Sequence, residues 1–244
     1  TFHKLALEIL NDKSINYQIA SEDLLSYITL EILEFYQNNP YFNYIFTYKD
    51  YKLIIRFISL FKNLYDDIYY FDIIIKKALK KDQEKLKIIK KIYEIYLLEK
   101  KSSGLIDFDD MIFMATKIIK EQPINKTYKY IIIDEYQDTS PKEENLIKEI
   151  KNQTQAYITV VGDDFQSIYR FSGCDINNFL EFKKRFNPVK KLYLTNTYRN
   201  SNELIHIALD FIMKNKLQIF KKLKSNKHLK KPIIIMYYKH AKED

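Results

Sequence analysis

Ile131-Ile132-Ile133-Asp134-Glu135-Tyr136-Gln137-Asp138 is a short apolar run that ends on two adjacent carboxylates. Such a run reads as a buried strand, and a strand that stops at Asp134-Glu135 delivers both acids to the edge of a sheet. A second apolar run, residues 157–161, stops in the same way on Gly162-Asp163-Asp164-Phe165-Gln166-Ser167-Ile168-Tyr169-Arg170. Between the two runs, Ser140-Pro141-Lys142-Glu143 has the form of a capping box with Pro at the first helical position. Strand, helix, strand in that order implies an α/β fold with a parallel sheet. In open α/β sheets ligands sit outside the carboxyl ends of the strands, so the two polar clusters are expected to line one nucleotide pocket.

Upstream, from residue 21 to residue 101, apolar positions such as Leu86, Ile89, Tyr93 and Tyr96 recur at helical spacing with no strand-like alternation. Ser102-Ser103-Gly104 breaks this all-helical block, and a new helix is expected from Asp107 with Phe108, Met111, Ile112, Ala115 and Ile119 on its apolar face. Downstream, residues 191–195 read as a third strand, residues 201–213 as a helix and residues 232–238 as a fourth strand, with Asn187-Pro188 marking a linker.

The chain has 244 residues and 46% apolar content, enough for a packed core. Its three glycines, Gly104, Gly162 and Gly173, leave no room for a complete Gly-x-x-x-x-Gly-Lys phosphate loop. Because the first residue is Thr1, the expectation is a central piece of a longer protein with the phosphate loop upstream. The lone Cys174 excludes an internal disulfide and fits a reducing compartment, with the cytoplasm as default. No apolar stretch approaches the roughly 20 residues that cross a bilayer. The formal charge of +8 is concentrated: residues 214–231 hold eight lysines and no acid, and residues 183–191 hold five basic side chains. Both segments suit phosphates, although AT-rich codon usage yields the same lysines and a solvated surface is the plainer reading.

A nucleotide hydrolase needs one carboxylate to hold Mg²⁺ and another group to orient and deprotonate the attacking water. Asp134 and Glu135 fit those roles by type, although a bare Asp-Glu pair is more often a solvated turn. His3, His206, His228 and His240 show no zinc-ligand spacing, and Ser167, Ser172 and Cys174 have no histidine nearby in sequence, so neither a zinc site nor nucleophilic catalysis is expected.

Three motifs then stand in order: Asp134-Glu135-Tyr136-Gln137-Asp138, residues 161–170, and Thr195-Asn196-Thr197-Tyr198-Arg199-Asn200. They resemble motifs two, three and four of the UvrD/Rep superfamily 1 DNA helicases. Thr1-Phe2-His3 is similar to the family's DNA-contacting element, and Asp107-Phe108-Asp109-Asp110-Met111 to its Asp-Phe-Asp-Asp-Leu element.

The resemblance implies an incomplete RecA-like parallel sheet, with residues 1–12 and 103–188 in a first RecA-like ATPase domain. Residues 13–102 would be a helical inserted subdomain and residues 189–244 the beginning of a second RecA-like domain. It implies ATP and Mg²⁺, with Asp134 on the metal, Glu135 activating water, Gln166 sensing the γ-phosphate and Arg199 as arginine finger. Thr1, His3, Tyr169 and Phe171 would contact single-stranded DNA, the two rings by stacking bases. For Phe171 taken alone, core packing is an equal reading.

Movement from 3′ to 5′ and unwinding at single-strand/duplex junctions, in repair or replication, follow from the family alone. Without the phosphate loop and motifs five and six, these 244 residues are expected not to hydrolyse ATP by themselves. Many members carry Trp-Arg where Phe171-Ser172 stand, and the Phe-Ser-Gly version is similar to the helicase IV-like branch. Two rival readings are a helicase-like DNA-binding module without ATPase activity and the motor part of a helicase-nuclease.

Overall fold

A computed structural model describes residues 1–15, 17–21, 23–38, 47–65 and 67–236, the side chain of Tyr48 excepted. The Thr1 hydroxyl accepts a hydrogen bond from Lys4 N at 3.3 Å and so caps helix α1, Phe2–Asp12. A two-residue strand β1, Gln18–Ile19, leads into four helices: α2, Leu24–Gln37; α3, Tyr48–Leu64; α4, Tyr69–Lys77; and α5, Lys80–Ser102. Strand β2, Leu105–Ile106, follows and lies parallel to β1, with Gln18 opposite Leu105. The helical block is thus entered and left by strands that lie side by side.

Helix α6, Phe108–Glu121, comes next, then β3, Tyr130–Ile133; α7, Pro141–Thr154; and β4, Tyr157–Val160. Short helices α8, Ile176–Leu180, and α9, Phe182–Arg185, and then α10, Asn202–Ile212, complete the described elements. The architecture is mixed α/β, mostly helical, with two small parallel sheets among the described residues. No described helix is long and apolar enough to cross a membrane.

Among the described residues two larger hydrophobic cores form, beside a smaller third around Ile133, Tyr136 and Ile147. One joins α1, α6 and α7 through Ala6, Leu10, Ala115, Ile119, Leu146 and Ile150. The other lies within the helical block and is rich in rings, with Phe61 and Phe71 at a centroid separation of 4.0 Å and Tyr93 and Tyr96 beside them. The spacing expected from sequence places α5 well, since Tyr93 and Tyr96 are buried while Leu86 and Ile89 are half-buried. Phe108, expected on the apolar face of α6, is instead 45% exposed, because it sits at the first turn and meets the His3 ring edge-on.

Charge joins the two cores. Asp107 caps α6 in a capping box with Asp110, and its Oδ2 faces Lys62 of α3, Lys100 of α5 at 2.7 Å and the Tyr96 hydroxyl at 2.7 Å. Both lysines are buried, at 6% and 4% exposure, where an unpaired ammonium would cost several kcal/mol. Burial alone would raise the Asp107 pKa, but the Lys62 and Lys100 charges outweigh it and hold the carboxyl well below its usual range.

Residues 191–195 form no strand; among the described residues an isolated parallel bridge between Asn196 and Lys224 stands just after them. Residues 232–236 are also unpaired, and Tyr237 and Tyr238 lie outside the described residues. Apolar runs supply strand propensity, but a strand exists only where a neighbouring backbone completes the ladder.

Asp107→Asn keeps the cap and removes the charge. The depressed carboxyl stabilises the fold above its unfolded pKa, near 4, and that contribution drains as pH falls towards the folded value. The variant is expected to be about 3 kcal/mol less stable at pH 7, with the gap narrowing at pH 3, as measured by urea denaturation followed by circular dichroism. An equal gap at both pH values would show that the ionised carboxylate is not the stabilising species.

Candidate functional site

The β3–β4 pair runs parallel, with Ile133 opposite Val160. One further hydrogen bond, from Val161 N to Ile133 O at 2.8 Å, carries the ladder to the strand ends, and Tyr136 N then donates to Val161 O at 2.9 Å. The two polar clusters therefore emerge side by side.

Asp134 is exposed, and its Oδ1 accepts from Glu135 N at 3.0 Å. Glu135 takes a left-handed backbone, φ 50° and ψ 41°, which is uncommon outside glycine and costs about 1–2 kcal/mol. From there its Oε2 accepts from Gln137 Nε2 at 2.9 Å. Gln137 is buried in a 3-10 turn, Tyr136–Asp138, and its Oε1 accepts from Asp163 N at 3.0 Å. Asp163 Oδ2 in turn accepts from Gln166 Nε2 at 2.8 Å. Glu135, Gln137, Asp163 and Gln166 thus form one hydrogen-bonded series across the strand ends.

Neighbouring anchors hold this series. Tyr136 is fully buried and donates to Glu144 of α7, which also pairs with Arg185. Lys221 reaches from the far end of the chain to pair with Asp163 and Asp164, and Ile219 N donates to Asp164 Oδ2 at 2.7 Å. Burial would raise the Asp163 pKa, but the Gln166 hydrogen bond and Lys221 bring it below the ordinary carboxylate value. Asp138 is displaced upward, first by burial and then by the Glu135 charge. Burial, aided by Asp138 and Glu143, pushes the Cys174 thiol up to about 11, which keeps it protonated and unreactive near neutral pH.

Among the described residues no group of three or more His, Cys, Asp or Glu side chains is placed to hold a metal. That excludes an all-protein cage there but fits Mg²⁺, which takes one or two carboxylates and completes its octahedron with water and phosphate oxygens. Asp134, exposed at the end of β3, is a carboxylate of the type such a site takes.

The remaining expected site residues lie apart from this series. Arg199 is exposed, and among the described residues only its backbone is engaged, with its N donating to Thr197 Oγ1 at 3.4 Å. Its segment is tethered close by, since Lys224 bonds both Thr195 and Thr197 while Lys221 grips Asp163. Thr1 caps α1, and His3 is half-buried with its ring 5.7 Å from that of Phe108. Tyr169 and Phe171 are 47% and 52% exposed with ring centroids 6.0 Å apart, so Phe171 is not a core residue.

Sequence reasoning missed Gln137, Asp163 and Lys221 as site residues. The first two stood inside the quoted motifs, whereas nothing in its lysine-rich run marks Lys221.

Residues 1–187 match the family described as UvrD/REP helicase N-terminal domain, and the chain belongs to that family. It is 36% identical over 140 residues to the ATP-dependent DNA helicase Rep of Buchnera aphidicola subsp. Baizongia pistaciae, covering 55% of this chain and 21% of that protein. It is 32% identical over 133 residues to the ATP-dependent DNA helicase PcrA of Bacillus subtilis, covering 52% and 18%. It is 33% identical over 126 residues to DNA helicase IV of Escherichia coli, covering 51% and 18%. The aligned part of the chain spans about a fifth of the length of these relatives.

Gly162 follows β4 at a point of close approach to Gln137. A Cβ there would stand 2.6 Å from Gln137 Oε1 and 2.9 Å from the Phe179 ring. Gly162→Ala is expected to cost about 1–3 kcal/mol through overpacking and loss of the Gln137–Asp163 bond. Thermal unfolding checks this, and an unchanged midpoint would mean that the approach is looser than described.

Proposed function

We propose that this chain is part of an ATP-dependent DNA translocase that moves 3′ to 5′ on single strands and unwinds duplex at junctions, in repair or replication. The observation that carries the reading is the hydrogen-bonded series from Glu135 through Gln137 and Asp163 to Gln166, at adjacent ends of parallel strands. The similarity to Rep and PcrA, both ATP-dependent DNA helicases, supports it. Residues 1–12 and 103–188 are read as part of a first RecA-like domain, 13–102 as a helical subdomain set into it, and 189–244 as the start of a second. Side-by-side β1 and β2 support the insertion. Parallel sheets are ordinarily covered on both faces, so exposed Tyr130, Ile132 and Tyr157 support a further layer over β3 and β4. The lone cysteine and a DNA substrate suit the cytoplasm.

In this reading Asp134 holds Mg²⁺, which when bound neutralises charge on the phosphates. Glu135, exposed beside the strand end and held by Gln137, orients the attacking water and accepts its proton. Gln166 reads the γ-phosphate, and because it hydrogen-bonds Asp163, its displacement is felt by both strand ends and by the turn bearing Tyr169 and Phe171. Arg199 enters from the second domain, where its planar fork suits the oxygens of the transferring phosphoryl group. Thr1 and His3 border the DNA path, and Tyr169 and Phe171 stack bases as the cleft opens and closes.

Full-length protein is expected to show ATPase activity stimulated by single-stranded DNA. Glu135→Gln should retain ATP binding, measured by equilibrium titration with a fluorescent ATP analogue, and lose at least about 100-fold in turnover. Wild-type turnover in that variant would remove Glu135 from its role. DNA binding by the wild-type protein without any ATPase activity would leave a binding module.

A further inference from the structure

The helical block places a cation on the aromatic turn. Arg56 of α3 lies over the Phe171 ring, with its guanidinium carbon 5.4 Å from the centroid. This placement is held by a built contact. Asn63, seven residues further along α3 and so on the same face two turns away, donates from Nδ2 to Ser172 O at 3.2 Å. Beside it, Gly173 adopts φ +92°, and a Cβ there would stand 2.7 Å from the Asn63 Cβ, so α3 seats directly on the turn. Two points on one helix face thereby fix Arg56 relative to Phe171.

Among the described residues Arg56 has no carboxylate partner, and the Phe171 ring is its one neighbour of note. Arg56 is exposed and makes no ion pair or hydrogen bond among the described residues. It is also one of only four arginines among the chain's 40 basic residues. A guanidinium stacks on rings and forks onto phosphate oxygens, which an ammonium does less well. Ser172, next to the ring, is neutral and short, so it adds no charge to this part of the surface.

We infer that Arg56 and Phe171 form one nucleotide subsite, the ring stacking a base and the guanidinium binding the adjacent phosphate of a single strand. This rests on the reading of Tyr169 and Phe171 as a base-stacking surface and extends it to a residue of the helical block. The block then takes part in gripping the strand, and its seat on Ser172–Gly173 sets the geometry of the grip.

The test is anisotropy titration of a fluorescein-labelled oligothymidylate with nucleotide-free full-length protein over a series of salt concentrations. Arg56→Gln is expected to weaken binding and to flatten the slope of log affinity against log salt by about 0.7, the release expected for one lost phosphate contact on a single strand. Arg56→Lys should keep the slope. Phe171→Ala should weaken binding roughly 5- to 100-fold with the slope unchanged, because stacking releases no counterions. Wild-type affinity and slope in Arg56→Gln, alongside weakened Phe171→Ala, would overturn the inference and leave the stacking reading intact. Wild-type binding by Phe171→Ala would remove the stacking surface, and the subsite with it. A lowered melting temperature in Arg56→Gln with an unaltered slope would assign Arg56 to the seating of α3 alone and likewise overturn the inference.

Discussion

The register between β3 and β4 governs the site. With Ile133 opposite Val160, the buried face of the pair packs against α7, and the residues after each strand leave the sheet at the same level. A slip of one residue would turn Ile133 to solvent and bring Ile132 inward, and would also separate Glu135 from Asp163. The hydrophobic cost of that slip is what locks the polar chemistry in place. Gly162 completes the constraint, because only a residue without a side chain lets Gln137 reach the Asp163 backbone.

A second constraint lies at the seam between the two cores. Lys62, Lys100, Asp107 and Asp110 meet where an apolar contact could equally have joined the helices. Ion pairs in such a place contribute less to net stability than to geometry, since each member tolerates burial only while its partners stay in reach. Asp107, Asp109 and Asp110 all stand at the N-terminus of α6, where the helix dipole favours negative charge. Lys62 and Asn63 are neighbours on α3, so the charged seam and the seat on the aromatic turn are held by one stretch of helix. Position in the helical block and position of Phe171 are in this way mechanically linked.

Much of this was legible in the chain. The Ser140 capping box, the two strands around it, the helical rhythm of α5 and the acids at the end of β3 all depend on residues close in sequence, and local patterns report them. The strand expected at residues 191–195, and the described part, 232–236, of the one expected at 232–238, misled because pairing is a relation between two segments, and the described residues offer one bridge where a ladder was expected. Strands β1 and β2 escaped notice for the opposite reason, since two residues carry no period.

The sequence by itself determined which groups are present and in what order: an acid pair, a glutamine and an arginine, each just beyond an apolar run or within a polar motif. Local hydrogen bonding and hydrophobic spacing suffice for that. Tertiary structure alone decided that Gln137 bridges the two strand ends, that Lys221 reaches Asp163, and that Arg56 covers Phe171. Asn63 and Ser172 lie 109 residues apart, and contacts of that kind are made only when separately folded elements pack, so no local pattern foretells them.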